Sequence, residues 1–83
     1  MSDIEIYSSD FCPFCARAKS LLKKKCATYT EYNVDTDPSL RLEMIERTNG
    51  RTSVPQIFIN KNLIGGSDEL FALDVSGKLE PLL

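Results

Sequence analysis

The sequence predicts an α/β fold in which three helices cover a four-stranded mixed sheet, in the order β-α-β-α-β-β-α. One observation behind this prediction is that short segments rich in β-branched and aromatic residues alternate with segments whose apolar residues recur every three or four positions. Another is that proline, glycine and asparagine separate these segments. The opening strand–helix–strand unit implies a parallel pair of strands joined by a right-handed crossover.

The first strand and the first helix open the chain. Residues 3–7 alternate polar and apolar side chains, as a strand does, and residues 8–11 form the connecting turn. A helix is predicted over residues 16–25. Its apolar stripe consists of Ala18, Leu21, Leu22 and Cys26. Cys26, at the end of the stripe, is expected to be a small buried core residue, with a regulatory thiol as the alternative.

The second strand and the second helix come next. Residues 28–34 are rich in β-branched and aromatic side chains, which favours a strand. The helix is predicted over residues 39–48, with Pro38 at its first position and Asn49-Gly50 at its end. Its inward side chains are expected to be Leu40, Met44 and Ile45. Its outward side chains are expected to be Arg41, Glu43, Glu46 and Arg47.

The last strands and the last helix complete the fold. The strand at residues 56–59 lacks alternation, which indicates burial on both faces, and a tight turn joins it to a fourth strand at residues 63–64. A third helix is predicted over residues 68–74, capped by Ser67 and Asp68. The leucines expected to pack back onto the core are Leu79, Leu82 and Leu83. The first and third helices are expected on one face of the sheet, and the middle helix on the other.

Length, charge and composition limit the possible functions. The chain of 83 residues predicts a single domain over residues 1–83. A net charge of −2 argues against general nucleic-acid binding, and no apolar run is long enough to span a membrane. Three cysteines, an odd number, fit a reducing compartment, so a cytoplasmic location is expected. A monomer is assumed.

The motif with the clearest chemistry is Cys12-Pro13-Phe14-Cys15, between the first strand and the first helix. Pro13 suits the first helical position, which makes Cys12 the N-cap residue. The unpaired N–H groups of a helix start carry partial positive charge and stabilise a thiolate there. Cys15, one turn on, is expected to be covered and to resolve a mixed disulfide on Cys12. The pair therefore predicts a reversible thiol–disulfide couple. Half of a zinc site and a purely structural disulfide are the alternatives.

Three stretches together resemble the glutaredoxin family, in its small dithiol form, over nearly the whole chain. They are Cys12-Pro13-Phe14-Cys15, Ser53-Val54-Pro55 and Gly65-Gly66-Ser67-Asp68. The resemblance implies a thioredoxin fold and a glutathione-dependent thiol–disulfide oxidoreductase that reduces glutathione mixed disulfides and protein disulfides. It implies glutathione as co-substrate and no permanently bound cofactor or metal. Glutathionylated or disulfide-bonded proteins, such as ribonucleotide reductase, are the implied partners.

The resemblance also implies which residues contact glutathione. A cis peptide bond before Pro55 would present the Val54 backbone to the cysteinyl part. The start of the third helix would hold the γ-glutamyl carboxylate, with Asp68 on the α-ammonium group. Arg41 is the candidate for the glycyl carboxylate, ahead of Thr52 and Arg51. The full expected set is Pro13, Phe14, Ser53, Val54, Pro55, Gly66, Ser67, Asp68 and Arg41.

The chain departs from the family's pattern beside the first cysteine. Many relatives carry tyrosine where this chain has Phe14, and a basic residue where it has Ser9 or Asp10. We therefore expect weaker glutathione binding, or a less depressed pKa of Cys12, than in relatives with lysine there. Two alternative functions stay open. One is a thioredoxin-like reductant that does not use glutathione. The other is an iron–sulfur cluster carrier, although the proline after the first cysteine argues against it.

Overall fold

A mixed four-stranded sheet forms the centre of the computed structural model, which describes residues 2–83. The elements are β1 (Ile4–Ser8), α1 (Pro13–Lys24), β2 (Thr30–Asn33), α2 (Pro38–Arg47), β3 (Gln56–Ile59), β4 (Asn62–Gly65), α3 (Ser67–Val75) and a 3₁₀ turn (Glu80–Leu82). The strand order is β2-β1-β3-β4. β1 pairs with β2 in parallel, and β3 pairs with β1 and β4 antiparallel. Apart from the 3₁₀ turn, the elements follow the predicted order β-α-β-α-β-β-α, and their arrangement is that of a thioredoxin fold. Residue 1, part of the predicted domain, lies outside the described residues.

The helices cover the two faces of the sheet as predicted. The larger apolar cluster joins one face of β1 and β3 to α1 and α3. Its buried members are Ile4, Ile6, Ala18, Leu21, Leu22, Ile57, Ile59, Leu70 and Leu79. The smaller cluster lies under α2 and consists of Tyr7, Val34, Met44 and Phe58. Because strand side chains alternate between faces, Ile6 and Tyr7 of β1 enter different clusters. Within residues 2–83, no helix is long and apolar enough to cross a membrane.

The end of α1 corrects the prediction for Cys26. The helix ends at Lys24, and Cys26 adopts a left-handed conformation with φ of 57°. Its N–H donates to the Lys23 carbonyl, and the Ala27 N–H donates to the Leu22 carbonyl. This hydrogen-bonded helix end turns the chain, so Ala27 packs on the core while Cys26 is exposed. The predicted buried position of Cys26 is therefore wrong.

The end of α2 corrects the prediction for Arg47. Arg47 does not point outward. Its Nη2 lies 3.0 Å from Glu5 Oε1, and its guanidinium lies 4.0 Å from the centre of the Phe58 ring. Glu5 is buried in the central strand β1, where an unpaired carboxylate would be costly. Arg47 supplies the charge and hydrogen bonds that Glu5 needs, and so it ties α2 to the sheet.

Smaller corrections concern element ends. β2 begins at Thr30, two residues later than predicted, while β4 extends over Asn62–Gly65. The N-cap of α3 is Gly66, and neither Ser67 nor Asp68 caps the helix with its side chain. Leu79 is fully buried and Leu83 packs on the larger cluster, whereas Leu82 is exposed.

Candidate active site

The cysteine pair lies at the start of α1, as the motif predicts. Cys12 is the N-cap residue, and its Sγ accepts a hydrogen bond from the Cys15 N–H at 3.1 Å. The two cysteines form a disulfide, with their Cα atoms 5.2 Å apart. Cys12 is partly exposed, while only 1% of Cys15 is exposed. A reactant from solution therefore reaches Cys12 more readily than Cys15.

The segment before β3 lies beside the disulfide. The Val54–Pro55 peptide bond is cis, as the resemblance implied. The Val54 carbonyl oxygen lies 3.8 Å from Cys12 Sγ. Gln56, buried at the start of β3, donates from its Nε2 to the Ser53 carbonyl at 3.0 Å and to Ser53 Oγ at 3.3 Å. These bonds tie the segment to the sheet, so the backbone of Val54 has a fixed position next to Cys12.

The start of α3 lies on the other side of this segment. Gly66 approaches the Pro55 carbonyl so closely that an added Cβ would lie 3.4 Å from its oxygen. Ser67 is buried and Asp68 is exposed. Because no side chain within residues 2–83 caps the helix, the N–H groups of its first turn keep their capacity to bind an anion. Asp68 adds a carboxylate at the same place, which can pair with a cation.

A groove of about 470 Å³ joins these parts. Seven of the residues predicted to contact glutathione line it: Phe14, Ser53, Val54, Pro55, Gly66, Ser67 and Asp68. Arg51 and Thr52, the weaker candidates, line it too, as do Gly50, Gln56 and Glu69, which sequence reasoning missed. Gln56 directly follows the Ser53-Val54-Pro55 motif, Gly50 lies three residues before it, and Glu69 directly follows Asp68. Their closeness to the motifs was the signal available in the sequence.

Pro13 and Arg41 lie outside the lining of the groove. Arg41 Nη1 donates to the Thr52 carbonyl at 3.3 Å, and Arg41 Nη2 lies 3.7 Å from Asp35 Oδ1. Arg41 thus supports the groove wall from behind. Arg51 lies in the groove itself, and its Nη1 is 3.3 Å from Glu69 Oε1. Of the two arginines, Arg51 is the one in direct contact with the groove.

Fold and site together define a class of protein. A cysteine pair at the start of the first helix of a thioredoxin fold, beside a cis-proline segment, is a redox-active dithiol that exchanges disulfides. The chain is therefore a thiol–disulfide oxidoreductase.

Comparison with known proteins narrows the class to a family. Residues 4–64 match the family model described as Glutaredoxin. The chain is 51% identical to glutaredoxin 3 of Escherichia coli K12 over 83 residues, which cover all of this chain and 99% of that protein. It is 52% identical to a probable glutaredoxin of Synechocystis over 80 residues, 96% of this chain and 91% of that protein. The chain belongs to the glutaredoxin family, as the sequence motifs predicted.

Solved structures agree with this assignment. The solution structure of a glutaredoxin from Brucella melitensis has a TM-score of 0.84 and 48% identity, covering 98% of this chain and 87% of that chain. A crystal structure of a buckwheat glutaredoxin–glutathione complex has a TM-score of 0.90 and 27% identity, covering 99% of this chain and 76% of that chain. The predicted thioredoxin fold is confirmed.

Proposed function

We propose that this protein is a glutathione-dependent oxidoreductase that uses the Cys12/Cys15 pair to reduce glutathione mixed disulfides and protein disulfides. The observation that carries the proposal is one continuous groove, which begins beside Cys12 at Val54 and ends at the start of α3. A peptide-like ligand bonded to Cys12 has backbone groups within reach at Val54 and anion-binding N–H groups within reach at Ser67 and Asp68. The crystal structure of the buckwheat relative is a complex with glutathione, which supports glutathione as the ligand here.

The first step is the transfer of glutathione from the substrate to Cys12. The Cys12 thiolate attacks the glutathionyl sulfur of a protein–glutathione mixed disulfide. The substrate disulfide breaks, its electron pair leaves with the protein sulfur, and that sulfur takes up a proton to become a thiol. The Cys15 N–H, 3.1 Å from Cys12 Sγ, and the partial positive charge of the helix start stabilise the thiolate that this step needs.

The second step regenerates the enzyme by one of two routes. A second glutathione thiolate attacks the glutathionyl sulfur on Cys12, which releases oxidised glutathione and restores the Cys12 thiolate. In the other route, the Cys15 thiolate attacks Cys12 Sγ, which releases reduced glutathione and forms the Cys12–Cys15 disulfide. The Cys15 route also applies to protein disulfides. Cys12 attacks one sulfur of the substrate disulfide, Cys15 then resolves the mixed disulfide, and the cysteine pair supplies both electrons. Glutathione afterwards returns the pair to the dithiol.

The site residues take distinct roles in this proposal. Cys12 is the nucleophile and Cys15 the resolving cysteine. Val54 pairs through its backbone with the cysteinyl part of glutathione, and Ser67 and Asp68 hold the γ-glutamyl end. Arg51 meets the glycyl carboxylate in preference to Arg41, because Arg51 lines the groove. The other predicted contacts are Pro13, Phe14, Ser53, Pro55 and Gly66.

The cellular setting belongs to the proposal as well. Glutathionylated and disulfide-bonded proteins, with ribonucleotide reductase as an example, are the proposed partners. A monomer acting in the cytoplasm fits a partly exposed Cys12 that must meet many different proteins and a high concentration of reduced glutathione.

Reduction of a glutathionylated peptide tests the proposal. The assay contains glutathione, glutathione reductase and NADPH, and it compares wild type with Cys15→Ser and Cys12→Ser. We expect Cys15→Ser to retain activity, since glutathione alone can release Cys12, and Cys12→Ser to lose it. If wild type is inactive here but reduces protein disulfides when thioredoxin reductase regenerates it, the thioredoxin-like alternative would be favoured. A coloured protein after purification without oxygen would favour the iron–sulfur carrier.

A further inference from the structure

Phe11 is a large apolar side chain fully exposed next to the reactive cysteine. It precedes Cys12 directly, and 99% of it is exposed to solvent. A phenylalanine in this environment contributes no packing to the fold, and its burial against a partner would be favourable. Phe14, on the other side of Cys12 in the sequence, is also exposed, but it lines the groove described above. Phe11 does not line that groove.

Asp10, the residue before Phe11, is held at the β2 side of the sheet. The Asp10 N–H donates to Asp35 Oδ2 at 3.1 Å, and Asn33 Nδ2 donates to Asp10 Oδ1 at 2.6 Å. Asn33 ends β2, the outer neighbour of β1, and Asp35 follows it by two residues, whereas the groove lies on the side of β3 and α3. The exposed segment Asp10-Phe11 therefore leads into Cys12 from the β2 side and does not line the groove.

The charge of this second surface is negative. Asp10 and Asp35 lie together through the bond between the Asp10 N–H and Asp35 Oδ2. Arg41 lies against Asp35, at 3.7 Å, and not against Asp10. The surface therefore offers one apolar contact and one carboxylate, next to the sulfur that forms the bond with the substrate. A partner of matching chemistry carries an apolar side chain and a positive charge beside its own reacting cysteine.

We propose that Phe11 and Asp10 determine specificity among protein disulfide substrates, selecting a polypeptide whose reacting cysteine is flanked by an apolar and a basic residue. The inference depends on the dithiol route of the proposed function. In that route, the Cys12 thiolate attacks one substrate sulfur, and the electron pair of the broken disulfide leaves with the other. The Cys15 thiolate then attacks Cys12 Sγ, which releases the first substrate sulfur. The enzyme pair is oxidised to a disulfide, and the substrate gains two electrons and two protons.

Specificity arises at the mixed disulfide between Cys12 and the substrate. This bond brings the residues flanking the substrate cysteine next to Phe11, which is one residue from Cys12. The apolar flanking residue covers the phenyl ring, and the basic residue faces Asp10. Phe11 acts on the choice of substrate and not on sulfur chemistry, so its effect depends on the sequence of the substrate.

The test is a single-turnover measurement on three cyclic peptides, each closed by one disulfide. The peptides differ only beside their two cysteines: Leu and Lys in the first, Ser and Lys in the second, Leu and Glu in the third. Reduced enzyme without glutathione is mixed with excess peptide and quenched with acid, and the reduced peptide is separated by chromatography. We expect wild type to reduce the first peptide about tenfold faster than the second and about threefold faster than the third.

Substitutions at Phe11 and Asp10 test which residue causes each of the two peptide preferences. Phe11→Ser should bring the first and second peptides to equal rates, whereas Phe11→Leu should preserve most of the preference. Asp10→Asn, which retains an oxygen acceptor for Asn33, should remove the preference for the first peptide over the third. The matched control is Val75→Ser, since Val75 is 86% exposed at the far end of α3 from the groove. It should leave both ratios as in wild type.

The outcomes separate this inference from the proposed function. Equal wild-type rates for the first and second peptides or for the first and third, or a preference that survives Phe11→Ser, would overturn the inference. None of these results would affect reduction of a glutathionylated peptide by Cys12 alone. Reduction of the glutathionylated peptide without reduction of any cyclic peptide would instead refute the dithiol route, and the inference with it.

Discussion

Arg51 and Glu69 form an ion pair in the groove where glutathione is proposed to bind. Both side chains are about half exposed in the groove, and Arg51 Nη1 lies 3.3 Å from Glu69 Oε1. An anionic ligand group must share or replace this pair to reach Arg51. Because an exposed pair of this kind contributes little to stability, the competition affects the ligand more than the fold.

Glu69→Gln is expected to lower the KM for a glutathionylated peptide by about threefold, because it removes the carboxylate that competes for Arg51 and keeps the length of the side chain. The measurement is the coupled assay at varied concentrations of the glutathionylated peptide and a fixed concentration of glutathione. The matched control is Glu80→Gln, which removes a carboxylate paired with Lys25 outside the groove. An unchanged KM for the peptide in Glu69→Gln would contradict the contact between Arg51 and the glycyl carboxylate of its glutathionyl group.

At the residue scale, the sequence predicted the position of the cysteine pair better than the solvent exposure of single side chains. Cys12 and Cys15 were recognised because their spacing and the following helix fix their relation to each other. Cys26 was placed on the apolar stripe, yet the left-handed turn after α1 moves it into solvent. Arg47 was placed outward because charge usually faces water. Its partner Glu5 lies far away in sequence, so only the assembled fold brings the two together.

The junction between β4 and α3 forms the end of the groove that is proposed to bind the γ-glutamyl carboxylate. Gly65 ends β4 with φ of 118°, a conformation open mainly to glycine, and the next residue begins the helix as its N-cap. A Cβ at Gly65 would lie 2.7 Å from Glu69 Oε1. The tight corner fixes where the first turn of α3 points.

Gly65→Ala is expected to destabilise the protein by about 2 kcal/mol and to raise the KM for a glutathionylated peptide, because alanine is strained at a φ of 118° and relief of that strain moves the chain that leads into α3. Thermal melting and the coupled assay measure the two effects. Gly77→Ala is the matched control, because Gly77 also has a positive φ, of 75°, but has open space around its Cβ position. It should cost less stability and leave the KM unchanged. An unaltered KM in Gly65→Ala would mean that the corner does not position the ligand.

At the element scale, most of the fold follows from local patterns. Pro13 and Pro38 marked two helix starts that the structure confirms, because proline favours the first helical position. Periodicity separated helices from strands. The N-cap of α3 was shifted by one residue, since Ser67 and Asp68 are good capping residues by type, while the tight corner makes Gly66 the cap. Neither proline nor periodicity could show that Arg51 and Glu69 meet across the groove, because that contact joins two separate segments.

Across the whole molecule, the pH dependence of stability follows from carboxylates held in hydrogen bonds. The hydrogen bond from Arg47 lowers the pKa of Glu5, even though burial opposes this. A hydrogen bond from Ser8 lowers the pKa of Glu31, and hydrogen bonds from Ser39 lower the pKa of Asp37. A carboxylate whose pKa is lower in the folded state stabilises the fold above its unfolded pKa and loses this contribution as pH falls through the folded pKa.

Stability is therefore expected to fall as the pH drops below about 4.5, the ordinary pKa of a glutamate. Glu5→Gln should reduce the free energy of unfolding by about 2 kcal/mol at pH 6, and this difference should shrink below pH 4.5. Urea unfolding from pH 3 to pH 7 measures both. Glu46→Gln, at an exposed position next to Arg47 in α2, is the control and should match wild type throughout. A difference that stays constant with pH would contradict the role of the Glu5 charge.

The most direct test of the central claim is to locate glutathione on the protein. Cys15→Ser is converted to its glutathione mixed disulfide, and its backbone amide NMR shifts are compared with those of the reduced variant. The account predicts that the largest changes, apart from those at Cys12 and its neighbours, occur at Val54, Ser67 and Asp68. Changes confined to the start of α1, with Val54 and the first turn of α3 unaffected, would contradict glutathione binding in this groove.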